Sequence, residues 1–116
     1  MDCTVITEQE FFSICGDIEP LSEYYKCNGV VFSAVKKGEA LRVHIGCKRE
    51  NMKHLRSSCQ TFIKNMFSHY DWCKMLIATV DVKNKSVFNL CLKLGFVDQG
   101  VYKFEGGDAN IMVIER

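Results

Sequence analysis

Few residues in this chain are equipped for chemistry. There are three histidines and seven cysteines among its 116 residues, and no Cys-x-x-Cys pair. His44-x-x-Cys47 and His69-x-x-x-Cys73 have the spacing of metal ligands, and zinc favours imidazole and thiolate. His44 falls inside a predicted strand, however, and the second pair straddles a predicted helix end. The sequence therefore predicts no metal, and it treats Cys3, Cys15, Cys27, Cys47, Cys59, Cys73 and Cys91 as small packing hydrophobes in a reducing compartment. Lys48-Arg49 is a basic pair just ahead of a predicted helix. The first turn of a helix carries unpaired N–H groups and a positive dipole end, so the pair suits an anion such as phosphate. It reads equally as a solvated basic turn.

The elements that would position these residues centre on Met75 to Phe96. Met75–Val80 is an apolar run of strand length, predicted as a central strand covered on both faces. Asn84 is a good N-cap for a short helix with Val87, Leu90, Cys91 and Leu94 on one face. Gly95 then ends that helix in the left-handed conformation, with Phe96 packing back on its last turn. Upstream, Thr4–Thr7 is a short strand, and a helix begins at Thr7 or Glu8 with Phe11, Phe12 and Cys15 on its apolar side. A loop follows from Asp17 to Ser22. Glu23–Cys27, the hairpin signal Asn28-Gly29, Val30–Lys36, a turn at Lys37-Gly38-Glu39 and Ala40–Ile45 make a three-stranded meander. In its third strand Leu41, Val43 and Ile45 face one side, Arg42 and His44 the other.

From about Asn51 to Ser68 the apolar period becomes helical: Met52, Leu55, Cys59, Phe62, Ile63, Met66 and Phe67 form one stripe. Phe96–Phe104, the turn Glu105-Gly106-Gly107-Asp108 and Ala109–Ile114 form a closing hairpin. This alternation predicts one α/β domain over residues 1–116, a mixed sheet with helices on both faces. A net charge of +1 argues against a dedicated nucleic-acid binder. No apolar run approaches the roughly 20 residues needed to span a bilayer. The N-terminus lacks the basic and apolar regions of a signal peptide, so a cytoplasmic location is expected.

Asn84, Ser86-Val87 and Lys93-Leu94-Gly95-Phe96, following an apolar strand, resemble the strand–Asn–helix–Leu-Gly-Phe signature of the GNAT superfamily of N-acetyltransferases. The order of elements resembles a compact version of that fold, with its second helix reduced to little or nothing. The chain also resembles small acetyltransferase-like proteins encoded by tailed phages. The resemblance implies acetyl-coenzyme A as co-substrate and an amine, on a small molecule or a protein, as acceptor. It implies that the strands at Ala40–Ile45 and Met75–Val80 run parallel and diverge near one end, with the cofactor between them.

On that basis Val43 and Ile45 would offer backbone groups to the pantetheine arm, and Asn84 would contact it. The pyrophosphate would lie before the long helix. The family's glycine-rich loop is replaced here by Gly46-Cys47-Lys48-Arg49-Glu50-Asn51, which leaves Lys48, Arg49 and the Asn51 region to hold it. Cys91 stands where many members carry the tyrosine that protonates the departing thiolate. Glu39 and His44, on or beside the third meander strand, are the candidates for a base that deprotonates the amine. A second function follows from the departures at the loop and at Cys91: a GNAT-fold protein without transfer activity, serving as a binding or assembly component.

Overall fold

Turn chemistry builds the first half of the sheet. Asn28 (φ 51°) and Gly29 (φ 79°) both take the left-handed region. That is what a two-residue type I′ hairpin demands, and the pair joins β2 (Glu23–Cys27) to β3 (Val30–Lys37). A second tight turn at Gly38-Glu39 leads into β4 (Ala40–Cys47). A short strand, β1 (Thr4–Val5), pairs antiparallel with β2 at the outer edge. The structure, a computed structural model, describes residues 3–18 and 22–116; of the loop expected at Asp17–Ser22, residues 19–21 lie outside it.

Helix α1 (Glu8–Cys15) begins where Thr7 Oγ1 accepts a hydrogen bond from the Glu10 N–H at 3.1 Å. It ends where Gly16 turns left-handed at φ 79°. Its buried stripe is Phe11, Ile14 and Cys15, packed on Tyr24 and Val31. Phe12, expected on that stripe, is 54% exposed. The reason is helical geometry: a stripe centred between positions 11 and 14/15 leaves position 12 rotated toward solvent. At the far end of α1, Cys15 lies directly on β4. A Cβ added at Gly46 would stand 2.8 Å from both the Cβ and the Sγ of Cys15. Gly46 therefore serves the contact between α1 and the sheet.

The long helix also starts later than expected. Arg49–His54 is a 3-10 helix, and α2 proper runs from Leu55 to His69. The segment is pinned to the β2–β3 turn, since a Cβ at Gly29 would collide with the side chain of Asn51. Met52 is 51% exposed rather than part of the stripe. From Leu55 onward the pattern holds, with Cys59, Phe62 and Met66 buried. Phe62 stacks on Phe32 with centroids 4.1 Å apart and planes at 5°. A buried phenyl ring contributes about 1.5–3 kcal/mol through area removed from water.

The second half comprises β5 (Met75–Asp81), α3 (Lys85–Leu94), β6 (Val97–Phe104) and β7 (Gly107–Glu115). Helix α3 closes as its sequence predicts. Gly95 takes φ 102°, its N–H donates to Leu92 O at 3.1 Å, and the Phe96 N–H donates to Cys91 O at 2.9 Å. This is the Schellman arrangement. The sheet has seven strands in the order β1-β2-β3-β4-β5-β7-β6, with β4 and β5 parallel and all other pairs antiparallel.

Helix α1 covers one face, over β2–β4, while α2 and α3 cover the other, where the main core lies. The expected mixed sheet with helices on both faces is the fold observed. A further expectation fails: β5 is not buried on both sides. Leu76 and Val80 face the core, whereas Thr79 on the opposite face is exposed, because α1 does not extend over the second half.

Gly46→Ala is expected to lower stability by about 1–3 kcal/mol, since neither the short Cys15 side chain nor the backbone behind it can give way. Gly106→Ala, in open space, should change it by less than about 0.5 kcal/mol. Urea denaturation of both variants tests this; equal midpoints would show that α1 does not depend on Gly46.

Candidate functional site

The site is made by strands that stop pairing. β4 and β5 share four parallel rungs, from Ala40↔Met75 to Val43↔Ala78. Beyond them both strands continue, each held only on its outer side. β4 stays paired to β3 through His44↔Ser33 and Cys47↔Val30, and β5 to β7 through Thr79↔Ile111 and Asp81↔Ala109. Between them, peptide groups facing the gap have no ladder partner among the described residues. Unpaired backbone N–H and C=O groups at such a position require another polar partner.

Strand alternation gives the gap two different faces. On the helix side lies an apolar cleft of about 70 Å³, whose walls include Val43, Ile45, Cys59, Leu90, Cys91 and Leu94. On the opposite face is a groove of about 310 Å³ lined by Ser33, Arg42, Val43, His44, Thr79 and Phe104. The two hollows share Val43, His44 and Thr79. His44 also borders a smaller hollow of about 50 Å³ with Phe11, Asp17 and Ile18.

Most residues singled out in the sequence gather at the open end of the gap. His44 stands where the strands part. Lys48 and Arg49 are exposed just past the end of β4. Asn84 follows the end of β5, donating its N–H to Asp81 O at 2.8 Å and accepting at Oδ1 from the Val87 N–H at 3.2 Å. Cys91 is buried in the cleft wall.

Two residues are placed elsewhere. Glu39 lies at the closed end of β4, roughly 16 Å of strand from His44, with its carboxylate 3.0 Å from Lys74 Nζ. Asn51 rests against Gly29, and its N–H donates to Lys48 O at 2.9 Å. His44 and Cys47 project from opposite faces of β4, so this pair cannot share an ion. Ser33, Thr79 and Phe104 were not singled out in the sequence. The signal available was a hydroxyl inside an otherwise apolar strand, at Ser33 in Val30–Val35 and at Thr79 in Met75–Val80.

Burial sets the state of the cleft thiols. It pushes Cys91 up to about 11, and it pushes Cys59 up to about 12, with the neighbouring Cys91 adding to the rise. A thiolate in an apolar wall loses hydration without gaining a partner. Both groups therefore carry their protons throughout the neutral range.

The gap fits the pantetheine arm of acetyl-coenzyme A in kind: a narrow apolar slot edged by unpaired peptide groups. The fit at the pyrophosphate rests on different grounds from a glycine-rich loop. The segment before α2 is 3-10, and the positive charge comes from the Lys48 and Arg49 side chains.

A mixed seven-stranded sheet with parted parallel strands and helices on both faces defines an acyl-CoA N-acyltransferase, or GNAT, fold. Solved structures agree. A point mutant of the spermidine N-acetyltransferase SpeG from Vibrio cholerae matches with a TM-score of 0.73 and 14% identity, over 84% of this chain and 67% of that one. A ribosomal-protein alanine acetyltransferase from Vibrio fischeri matches with a TM-score of 0.70 and 18% identity, over 82% of this chain and 62% of that one. A dodecameric spermidine N-acetyltransferase from Vibrio cholerae gives 0.67 and 15%, over 84% and 66%. The resemblance in the sequence to the GNAT superfamily is thus borne out at the level of the fold. No family model and no curated protein sequence matches the chain. No helix among the described residues is long and apolar enough to cross a membrane.

The thiols imply a pH dependence of stability. Their folded-state values lie above the ordinary thiol value of 9.0, so the unfolded chain releases these protons first as pH rises. Their contribution is complete below about pH 9 and is lost between there and about pH 12. Urea midpoints should therefore fall above pH 9, and Cys59→Val, which keeps the packing without the thiol, should flatten the fall. An unchanged slope in that variant would show that Cys59 is not the group responsible.

Proposed function

We propose that this chain transfers an acetyl group from acetyl-coenzyme A to an amine. The observation that carries the reading is the meeting of the apolar cleft and the opposite groove at Val43, His44 and Thr79. A thioester entering from one side and an amine from the other would come together at that point. The fold, shared with acetyltransferases of known structure, supports the same reaction class.

When bound, acetyl-coenzyme A supplies an activated carbonyl carbon, to which the amine nitrogen bonds while the carbon–sulfur bond breaks and sulfur leaves with the electron pair. The residues of the chain bind, orient and move protons around that exchange. The peptide groups of β4 from its last rung at Val43 onward to Ile45 hold the arm and polarise the carbonyl. Asn84 fixes the arm at the head of α3. Lys48 and Arg49 meet the pyrophosphate by charge. His44 Nδ1 or Nε2 takes the proton released by the amine, directly or through a water. Cys91 Sγ lines the cleft wall, but burial makes it a weaker acid than an ordinary thiol, so the departing sulfur takes its proton from the imidazolium formed at His44 or from solvent. Glu39, held at the closed end by Lys74, has no part in this. The acceptor is an amine on a small molecule or a protein, and the setting is the cytoplasm, where thiols stay reduced.

A second reading has its own support. The 3-10 first turn lacks the close backbone approach that glycines allow, and the Cys91 side chain is short and a weak donor. Both features suit a protein that has kept the fold and serves as a binding or assembly component.

Calorimetry and an amine screen separate the two readings. Lys48→Ala/Arg49→Ala should weaken acetyl-coenzyme A binding by about twofold to tenfold, as exposed charge pairs do. His44→Gln should leave that binding unchanged and lower turnover by about 10²–10⁴-fold. Absence of both binding and acetylation in the wild-type chain would overturn transfer and leave the second reading.

A further inference from the structure

A hydroxyl stands behind the candidate base. Ser33 on β3 and His44 on β4 are direct partners across the antiparallel ladder. Their side chains therefore leave the same face of the sheet, with Cβ atoms about 4.5–5.5 Å apart. Ser33 is 1% exposed and lines the open-face groove, and its hydroxyl has no hydrogen-bond partner among the described residues. An unpartnered buried hydroxyl is unfavourable, so proteins rarely keep one without a use. On its other side Ser33 pairs with Tyr24, which packs on Phe11 of α1 with ring centroids 4.8 Å apart. His44, by contrast, is exposed. Its ring is free to turn toward a hydroxyl that is held in place.

The order of groups across the sheet decides what this contact can do. From β2 to β5 it runs Tyr24, Ser33, His44, the gap and Thr79. His44 thus stands between the hydroxyl and the point where the strands part. A neutral imidazole carries its proton on one ring nitrogen and accepts at the other. With its N–H donated to Ser33 Oγ, the bare nitrogen is left for the gap, which is the state a base needs before it takes a proton. Once the proton is taken, the same bond becomes charge-assisted and stronger. The charged side chains around the ring are Arg42, two residues earlier on the same face of β4, and Asp17, in the small hollow past the end of α1. Asp17 Oδ1 accepts from the Ile18 N–H at 2.8 Å.

We infer that Ser33 is a positioning residue for His44: its hydroxyl accepts one ring N–H and holds the imidazole in the tautomer whose free nitrogen faces the gap. Ser33 touches neither the acyl donor nor the amine and acts only through the ring. Its effect on turnover rests on the proposed transfer reaction, but the hydrogen bond is a property of the free chain and is measured without turnover. After the amine has lost its proton, the same contact steadies the imidazolium until that proton passes to the departing sulfur.

The test is NMR of the histidine ring nitrogens in the full chain without acetyl-coenzyme A, at about pH 8.5, where an ordinary imidazole is neutral. Wild-type His44 should show one proton-bearing and one bare nitrogen, the pattern of a single tautomer. Ser33→Ala should show shifts averaged between the two tautomers. Ser33→Thr, which keeps a hydroxyl, should restore the single pattern. His54 and His69 should be unaltered in both variants, and Asp17→Asn should leave His44 as in the wild type. In an acetylation assay Ser33→Ala should lower kcat by about tenfold to a hundredfold with KM for acetyl-coenzyme A unchanged. A wild-type His44 that is already averaged overturns the inference. So does a Ser33→Ala spectrum identical to the wild type, or loss of the tautomer in Asp17→Asn alone. An active chain whose kcat is unaltered by Ser33→Ala would remove the positioning role while leaving transfer standing. A tautomer lost in Ser33→Ala, in a chain that acetylates nothing, would uphold the hydrogen bond and remove transfer.

Discussion

Everything in this molecule depends on a parallel ladder that is only four rungs long. Each of its strands is paired along its full length on the other side, β4 to β3 and β5 to β7. The two halves of the sheet are thus complete in themselves and meet through a short seam. Had the seam run to Cys47 and Asp81, the peptide groups that now face the gap would be satisfied and no cleft would exist. Helix α2 packs on the first half and α3 against the second, and contact between them closes the gap on the core side. Parting of the strands and burial of the helices are consequences of one arrangement.

That arrangement separates two environments across a single layer of backbone. On the core side, thiols and aliphatic side chains make a slot with little polarity, in which burial holds Cys59 and Cys91 in their protonated form. On the open face, alternation along β4 brings a guanidinium and an imidazole to one surface. The difference follows from the period of a strand, which sends Val43 and His44 in opposite directions. A parted sheet thus offers two chemically unlike surfaces, which is what the proposed transfer between an acyl donor and an amine would need.

Much of this was legible in the sequence because the signals were local and physically specific. Asn28-Gly29 dictates its hairpin, Asn84 and Leu94-Gly95-Phe96 bracket α3, and the alternation at Arg42–Ile45 assigns faces correctly. What could not be read was decided by contacts between distant segments. The 3-10 start of the long helix lies where Asn51 meets Gly29, and the role of Gly46 depends on Cys15. Neither pairing leaves a trace in periodicity. The exposed face of β5 was misjudged because an apolar run does not reveal whether a helix reaches far enough to cover it. Glu39 and His44 were both candidates for the base when only their strand was known, His44 having the apter unperturbed pKa. Register then put one at each end of it. Ser33 passed as an ordinary strand residue, since nothing in a sequence tells a bonded hydroxyl from an unbonded one.

The groove has a further consequence for how such a protein changes over generations. Arg42, His44, Thr79 and Phe104 are exposed and stand outside the buried core, with only Ser33 and the partly buried Val43 tied into the interior. Exposed positions away from packing, caps and buried networks usually tolerate substitution within about 0.5 kcal/mol. The side chains lining this groove can therefore be exchanged while the scaffold stays above its stability threshold. The cleft on the core side has no such freedom, because its walls are also the packing of α2 and α3. Lineages descending from this architecture would keep the cleft and diversify in the groove.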